Sequence, residues 1–279
     1  MLKGRSSRGR TKKWCLAQFV WVLGMIPVSA AAVDAEANDV APMHINLELS
    51  VGYHYSSGDY GLERSTEMTY VPVKIRGEID WWTAELTVPY VGISGPANIF
   101  PGGIITEDDG RSQSESGLGD VLARVSYTFL PITTWMPFFE LGGEVKFPTA
   151  DEGRGLGTGE FDFIVEGGGV WVRDNFTPFA VLGYRFFGDS SAFDLNDVFF
   201  SSVGVGYQAL QRLNVGLLFD YREATSDNAG ELMELVPFLN WKVTRHWSAN
   251  MYASAGLAEG SADGGVGLQI NYSWRGEGQ

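Results

Sequence analysis

The sequence predicts an all-β fold, a transmembrane outer-membrane β-barrel of about twelve antiparallel strands. Long segments alternate between apolar and polar residues with period 2, which is the pattern of strands with one apolar and one polar face. The connections alternate between long and short, as they do in bacterial outer-membrane barrels. Tryptophan is concentrated at one end of the predicted strands, where membrane meets water. A transmembrane helix is not indicated, because no apolar run beyond residue 32 approaches roughly 18 residues.

Residues 1–32 have the three parts of a secretory signal peptide. Six basic side chains precede Trp14 without an acid, residues 14–28 are apolar, and residues 29–32 are small. We therefore assign residues 1–32 to the signal peptide and residues 33–279 to one transmembrane β-barrel domain. The mature chain has no cysteine for a disulfide, and its 14 Lys and Arg oppose 34 Asp and Glu. This excess of acid argues against nucleic acid as a partner.

Twelve segments of the mature chain show the alternation. In residues 45–55 the odd-numbered positions are apolar or aromatic, whereas the even-numbered positions carry Asn, Glu, Ser, Gly and His. Most segments are long enough for a tilted strand that crosses a bilayer, which needs about 9–11 residues. An even number of strands suits a closed single-chain barrel. The predicted strands are residues 45–55, 68–79, 82–93, 119–130, 137–147, 160–172, 178–188, 197–208, 213–223, 231–243, 247–258 and 265–274.

The loops and the tryptophans indicate one orientation. Long gaps follow the odd-numbered strands and tight turns follow the even-numbered ones, so both termini are expected in the periplasm. Seven tryptophans lie near a predicted periplasmic turn or the periplasmic end of the last strand: Trp81, Trp82, Trp135, Trp171, Trp241, Trp247 and Trp274. We therefore expect the cell outer membrane as location, with its lipid and lipopolysaccharide as partners. The alternating apolar residues of the last strand resemble the signal that the barrel-assembly machinery recognises.

The polar faces of the strands should line the lumen. Counting across the turn at residues 80–81 places Arg76 opposite Glu85, and similar counting places Arg124 opposite Gly143 or Glu144. Opposed charges on neighbouring strands stabilise a barrel wall, so these residues either hold the wall together or filter a passing solute. The candidate pore-lining residues are Glu48, His54, Lys74, Arg76, Glu85, Arg124, Glu140, Glu144, Lys146, Asp162, Arg185, Asp220 and Arg222.

Two regions depart from the simple pattern. The alternation slips around Gly167-Gly168-Gly169, which predicts a bulge or a kink there. The longest loop, at about residues 94–118, has an apolar first half and an acidic second half. It either folds over the mouth of the barrel as a constriction or packs on itself at the surface.

Several short motifs resemble a known family when they are taken in order. They are Leu86-Thr87-Val88-Pro89-Tyr90, Gly95-Pro96, Ser116-Gly117-Leu118-Gly119-Asp120-Val121, Glu144-Val145-Lys146-Phe147-Pro148-Thr149, and Gly157-Thr158-Gly159 with Asp162. The chain resembles the outer-membrane proteins named for the meta-pathway of phenol degradation, most clearly over residues 84–188. The resemblance implies a transporter or channel for small hydrophobic or aromatic compounds. It implies no catalytic residue.

Three functional classes stay open on the sequence. The first is a channel for passive uptake of a small-molecule solute. The second is a membrane-embedded enzyme, lipase-like or protease-like, which needs a histidine beside a nucleophile or an acid. His44 and His246 fall at the periplasmic end, and His54 with Asp59 is the candidate pair at the outer rim. The third is a structural or receptor barrel, for which larger loops are expected. We expect a channel without catalytic residues, cofactor or metal.

Overall fold

A computed structural model describes residues 45–275, except 61, 97, 101–102, 106–112, 134 and 191–193. The predicted signal peptide and His44 lie outside the described residues. The described backbone contains fifteen strands and one 3-10 helix, Glu152–Arg154. In this part of the chain, no helix has the length and apolar character needed to cross a bilayer.

The strands follow the predicted segments closely. β6 and β7 both pair with β3, so together they form one interrupted strand of the barrel, and β4 with β5 is a small separate hairpin. The bounds are β1 Ile45–Gly58, β2 Thr66–Ile79, β3 Trp82–Gly95, β4 Asn98–Phe100, β5 Gly103–Ile105, β6 Gln113–Leu118, β7 Val121–Phe129, β8 Phe138–Phe147, β9 Asp162–Val170, β10 Phe176–Phe186, β11 Val198–Leu210, β12 Leu213–Arg222, β13 Leu232–Lys242, β14 Trp247–Gly256 and β15 Gly264–Arg275.

The sheet closes on itself because β1 pairs with β15 as well as with β2. The β1–β15 register runs from Asn46 opposite Arg275 to Ser57 opposite Gly264. The remaining neighbours are antiparallel pairs in chain order, and β3 joins the β6–β7 strand. Closure satisfies backbone groups that would each cost several kcal/mol if they were left unpaired in hydrocarbon. The prediction of a closed antiparallel barrel of twelve strands is confirmed.

The outer face of the barrel is apolar and exposed. On β1 the outward residues Ile45 to Tyr53, at odd-numbered positions, are 36–50% exposed, while the even-numbered residues from Glu48 to Ser56 are buried. A continuous apolar surface of this extent marks a membrane contact rather than a wetted surface. The barrel therefore spans the outer membrane, with its polar residues directed inward.

Tryptophan side chains surround the periplasmic end, as the sequence predicts. Five of them are 44–67% exposed at the strand ends or in the short turns: Trp82, Trp135, Trp241, Trp247 and Trp274. Their rings also contact neighbouring aromatic rings, for example Trp82 against Tyr127 and Trp274 against Tyr272. Such a girdle fixes how deeply the barrel sits in the membrane, because the indole ring is apolar while its N–H requires a polar partner.

The predicted bulge at Gly167-Gly168-Gly169 is wrong. β9 pairs with β8 and β10 through these glycines without a register shift. Neighbouring side chains fill the space that their missing Cβ atoms leave, since ideal Cβ positions on Gly167 and Gly168 would lie 3.0 and 3.1 Å from Leu141 and Val181. The glycines therefore accommodate close packing in a regular strand.

A bulge does occur between β6 and β7, at the start of the regular strand predicted over residues 119–130. Tyr90 opposes Leu118 and Thr87 opposes Leu122, so residues 119–121 span the same stretch as two residues of β3. The Gly119 N–H donates to the Pro89 carbonyl at 2.9 Å. This extra residue shifts the inward face of the strand and brings Asp120 to the lumen.

Four aromatic rings lie across glycines on neighbouring strands at the inner wall. The pairs are Phe200 on Gly183, Phe179 on Gly204, Phe238 on Gly216 and Tyr252 on Gly267. A Cβ atom on any of these glycines would lie 1.9–2.4 Å from the partner ring, so the ring occupies the place of a side chain. Aromatic residues placed over glycines in this way fix the register of a strand pair.

Replacement of Gly183 by Ala is expected to destabilise the barrel by about 1–3 kcal/mol, because the new methyl group must displace the Phe200 ring. Urea unfolding in detergent micelles and the temperature at which the folded band disappears from an SDS gel measure this effect. Gly77→Ala is the matched control, since no atom lies within 4 Å of its ideal Cβ position. Equal stability of the two variants would contradict the packing role of the ring.

Candidate functional site in the barrel lumen

All thirteen predicted pore-lining residues lie on the inward faces of their strands. Their side chains are almost completely covered, and the most exposed of them, Lys74, reaches 13%. The lumen is therefore filled by its own side chains at these levels. That these residues contact a solute stays a prediction. They are Glu48, His54, Lys74, Arg76, Glu85, Arg124, Glu140, Glu144, Lys146, Asp162, Arg185, Asp220 and Arg222.

Arg124 holds together three neighbouring strands near the middle of the barrel. Its Nε donates to Glu166 on β9 at 2.6 Å, and its Nη2 donates to Glu140 on β8 at 2.6 Å. Ser126 accepts from Nη1 at 3.3 Å. Two carboxylates lie directly opposite Arg124 in the register, Glu144 on β8, which was one of the two predicted alternatives, and Glu85 on β3. The guanidinium bonds instead to Glu140 and Glu166. Charge-assisted bonds of this length make the arginine a fixed part of the wall.

The predicted register between β2 and β3 is also confirmed. Arg76 lies opposite Glu85, yet its guanidinium contacts Glu78 at 3.1 Å, two positions along its own strand. Glu85 in turn contacts Lys74 at 3.6 Å. Opposed positions therefore locate the charges correctly, while the ion pairs form along diagonals that the sequence alone does not specify.

The motifs that resemble the phenol meta-pathway family converge on one cluster near the extracellular end. Lys146 contacts Asp120 at 3.1 Å and Asp162 at 3.3 Å, and it donates to the Thr158 hydroxyl at 2.6 Å. Asp162 also accepts from Arg185 at 2.7 Å. Three of the five motifs, which are separate in sequence, thus form a single buried network.

This cluster also fixes both ends of the loop between β8 and β9. The Thr149 and Ala150 N–H groups donate to Asp120 at 3.0 and 2.9 Å. The Thr149 hydroxyl accepts from the Val121 N–H at 2.9 Å. On the outside, Arg154 donates to Glu115 at 2.7 Å, and this contact raises the pKa of the guanidinium. The loop is therefore attached to β6 and β7 at several points.

The β8–β9 loop narrows the mouth of the barrel. Its Leu156 is 1% exposed and packs with Tyr70, Val91 and Ile93, which point inward from β2 and β3. Residues 94–118 were expected either to constrict the mouth or to pack on themselves at the surface, but residues 113–118 form the wall strand β6. The acids expected in that loop, Glu107, Asp108 and Asp109, lie outside the described residues. The insertion of Leu156 went unpredicted, because a single leucine in a polar loop carries no periodic signal.

A second contact joins the β1–β2 and β14–β15 loops at the rim. Tyr60 and Met68 are buried together with Ala262, and Leu62 packs against them. Burial raises the pKa of the Tyr60 phenol to about 12. The rim is thus closed by packed side chains on the side where β1 meets β15.

One side of the lumen is apolar. Seven buried residues on β9 to β13 form a continuous cluster, and Phe238 and Tyr252 pack against it. Three of the rings that cover glycines, Phe179, Phe200 and Phe238, belong to this cluster or to its margin. The seven are Ile164, Val170, Phe179, Val181, Phe200, Leu218 and Val236. The charged networks centre on β2, β3, β7 and β8 and reach Glu166, Asp162 and Arg185 on β9 and β10. The lumen therefore has one wall rich in charge and one wall, called the apolar wall below, on which this apolar cluster lies among fewer charges.

The histidines show no catalytic arrangement in the described residues. The His54 Nδ1 lies 3.3 Å from the Tyr252 hydroxyl, and the two rings stack at 5.8 Å. Asp59 is five residues further along, roughly 16 Å away on an extended strand, so the protease-like pair does not form. His246 bonds to the Ser273 carbonyl at the periplasmic end. The described residues also contain no group of three potential ligands that could hold a metal ion.

Replacement of Arg124 by Met is expected to destabilise the barrel by about 3–5 kcal/mol, because Glu140 and Glu166 lose their common partner in a buried site. Urea unfolding in micelles measures the loss. The triple variant R124M/E140Q/E166Q should recover part of it, since no buried charge is then left unpaired. Arg154→Met, which breaks an exposed pair, should leave the stability unchanged. A single variant as stable as the wild type would contradict the bracing role of Arg124.

The fold is similar to those of solved outer-membrane proteins. The COG4313 outer membrane channel from Pseudomonas putida F1 matches with a TM-score of 0.65 and 12% identity, over 87% of this chain and 100% of that chain. The KdgM porin matches with a TM-score of 0.51 and 11% identity, over 81% and 99% of the two chains. No family model matches the sequence, and no curated protein does. The likeness shows the fold of an outer-membrane β-barrel and places the chain in the cell outer membrane.

Proposed function

We propose that this barrel is a passive channel for small solutes that carry a hydrophobic or aromatic part. The observation that carries the proposal is the continuous apolar cluster on β9 to β13, in a lumen that is otherwise lined by charged and polar side chains. A polar interior alone would suit any water-soluble solute. An apolar wall inside a membrane barrel provides in addition a surface on which an apolar group can pass without losing contact with protein.

The construction of the apolar wall supports this function. Phe179, Phe200 and Phe238 lie over glycines of neighbouring strands, so each ring spreads along the wall rather than across the lumen. Flat aromatic faces favour stacked or edge-on contacts with another ring, at centroid distances of about 4.5–7 Å. The wall therefore matches an aromatic solute in shape and in polarity.

The filled interior implies that passage is gated by side chains and by the β8–β9 loop. The apolar cluster is held by dispersion contacts, whereas the opposite wall is held by short charge-assisted bonds. Moving a side chain of the apolar wall thus requires less free energy than moving one of the charged wall. We expect conductance to be small and to rise when Leu156 no longer fills the mouth.

Membership of the family named for the meta-pathway of phenol degradation is part of this proposal. Its support is the order of the sequence motifs and their convergence on the cluster around Lys146 and Asp162. The aromatic solutes that the resemblance implies agree with the apolar wall.

The extent of burial favours a second candidate, a structural barrel without transport. Arg124, Lys146 and Arg185 are all engaged in buried ion pairs, as in a wall that only needs to be stable. The two candidates differ in one measurable property, since a structural barrel passes neither ions nor solutes.

Proteoliposome swelling with a matched pair of solutes tests the channel. Phenyl glucoside and methyl glucoside share the sugar and differ in the apolar group. We expect phenyl glucoside to enter at least as fast as methyl glucoside despite its larger size, because the phenyl ring contacts the apolar wall. Entry strictly in order of size would contradict an apolar path, and exclusion of both solutes would favour the structural barrel.

The double variant V181T/V236T is expected to reduce the preference for phenyl glucoside about threefold, since two hydroxyl groups replace methyl groups in the apolar wall. Val198→Thr is the matched control, because Val198 is buried on β11 but belongs neither to this cluster nor to the cluster around Leu156 at the mouth. A shift of the same size in the control would show that the preference does not arise at the apolar wall.

A further inference from the structure

A row of uncharged amide side chains crosses the inner wall from β11 to β15. Directly opposed residues of antiparallel strands have Cβ atoms about 4.5–5.5 Å apart, so each amide lies beside the next. The row lies in the periplasmic half of the lumen, because its members on β12 and β14 are close to the periplasmic starts of these strands. The opposed residues, which we call the amide row, are in order Gln208, Asn214, Asn240, Asn250 and Gln269.

Three members of the amide row are buried without a hydrogen bond on one of their amide atoms. Asn214, Asn240 and Asn250 are 3–6% exposed. No described residue donates to the Asn214 Oδ1 or accepts from the Nδ2 of Asn240 or of Asn250. Burial of such polar groups without partners is unfavourable. The wall therefore holds, at one place, three neighbouring polar groups whose partners these residues do not supply.

The remainder of the amide row shows that partners are used where the wall provides them. The Gln269 Nε2 donates to the Asn271 Oδ1 at 2.5 Å, and the Asn271 Nδ2 donates to the Ser248 hydroxyl at 3.1 Å. Bonds within the row would not satisfy the other three amides, because each carboxamide carries two N–H groups and most of these would still have no acceptor. A partner from outside the wall is therefore required.

The chemistry of the three amides favours an uncharged hydroxyl group as this partner. A carboxamide both donates and accepts, and a hydroxyl does the same, so it can bond to either end of each amide. A carboxylate only accepts and an ammonium group only donates, so each would leave part of the row without a partner. Either ion would also lose its hydration beside neutral side chains. Water forms the same bonds as a hydroxyl, and a solute hydroxyl that replaces water retains them.

Aromatic rings border the amide row on the side that faces the extracellular end. Phe238 and Tyr252 lie two positions from Asn240 and Asn250 on the same strands, and both rings pack against the apolar cluster. On the periplasmic side, the next inward residue of β13 is Lys242. A solute with an apolar ring and a hydroxyl group can therefore contact the two rings and the amides at the same time.

We infer that Asn214, Asn240 and Asn250 form a binding site for an uncharged hydroxyl group of the solute, beside the apolar wall. The ligand class is an uncharged alcohol that carries an apolar ring. The inference rests on the proposed channel function and adds to it the polar group that the lumen recognises.

Ligand-observed NMR titrations of the purified barrel in detergent micelles test the site with benzyl alcohol and benzyl methyl ether. Both compounds are uncharged and carry the same aromatic ring, but the ether has no O–H to donate. The wild type should bind benzyl alcohol about fivefold more tightly than the ether, which corresponds to one net hydrogen bond. Titration of empty micelles corrects both affinities for partition into detergent.

In the double variant N240L/N250L the two affinities should become about equal, because leucine keeps the branching of asparagine but forms no hydrogen bond. Its folded band on an SDS gel should be as heat-resistant as that of the wild type, since two buried amides without partners are removed. N240A/N250A should lose the preference as well, although it widens the lumen where leucine narrows it. The matched control is Asn196→Leu, which removes an exposed amide from the β10–β11 loop and should keep the preference.

The outcomes separate the site from the channel. Equal affinities for the two compounds in the wild type, or a preference that survives in both double variants, overturns the amide site, while entry of phenyl glucoside into proteoliposomes still supports the channel. Lower heat resistance of both double variants would show that the amides brace the wall, and it overturns the site too. A barrel that binds neither compound and admits neither glucoside overturns both proposals.

Discussion

The pairing of β1 with β15 is the constraint on which the rest of the structure depends. In hydrocarbon, an open sheet edge would leave a row of backbone groups without partners, so the chain must return its last strand to its first. The register of that pair joins inward residue to inward residue, and Ser273 on β15 donates to Glu48 on β1 at 2.8 Å. Because successive side chains point to opposite faces, closure directs about half of the side chains of every strand into the lumen. The inward positions of the strands therefore determine which side chains fill the interior.

A lumen formed in this way must hold its side chains in a stable arrangement. The chain meets this need differently on its two sides. On β2, β3, β7 and β8 buried charges are accepted because they pair, and Arg124 serves two carboxylates at once. On β9 to β13 apolar residues pack as in a soluble core, with aromatic rings over glycines. Neither side could replace the other, since a wholly charged lumen would leave many acids unpaired and a wholly apolar one would exclude water.

The sequence predicts most of the fold because strand patterns are local. Alternation, loop length and tryptophan position each depend on neighbouring residues, and they located twelve strands, the orientation and the Arg76–Glu85 register. The prediction at Gly167-Gly168-Gly169 was wrong because glycine is compatible both with a bulge and with close packing, and the choice depends on Leu141 and Val181 from other strands. The bulge at residues 119–121 was missed because only the pairing with Tyr90 and Thr87 on another strand reveals it.

The candidate site is less predictable than the fold, for a physical reason. Every inward charge could be identified from its position, but the partner of each charge depends on side-chain reach across three strands. Arg124 has four carboxylates in its neighbourhood and bonds to Glu140 and Glu166, and nothing in the spacing shows that Glu85 and Glu144, which lie directly opposite, are not bonded to it. Leu156 likewise enters the mouth because Asp120 and Lys146 hold the ends of its loop.

The unequal rigidity of the two walls indicates where the barrel can open. Directional charge-assisted bonds fix the charged wall, and each one that breaks exposes a buried charge. The residues of the apolar cluster form no such bonds, although Arg185 bonds to Asp162 and Ser202 to Asp220 on the same strands. The rings of the cluster can therefore change rotamer while they keep contact with one another or with a solute. Opening therefore follows the line where the walls meet.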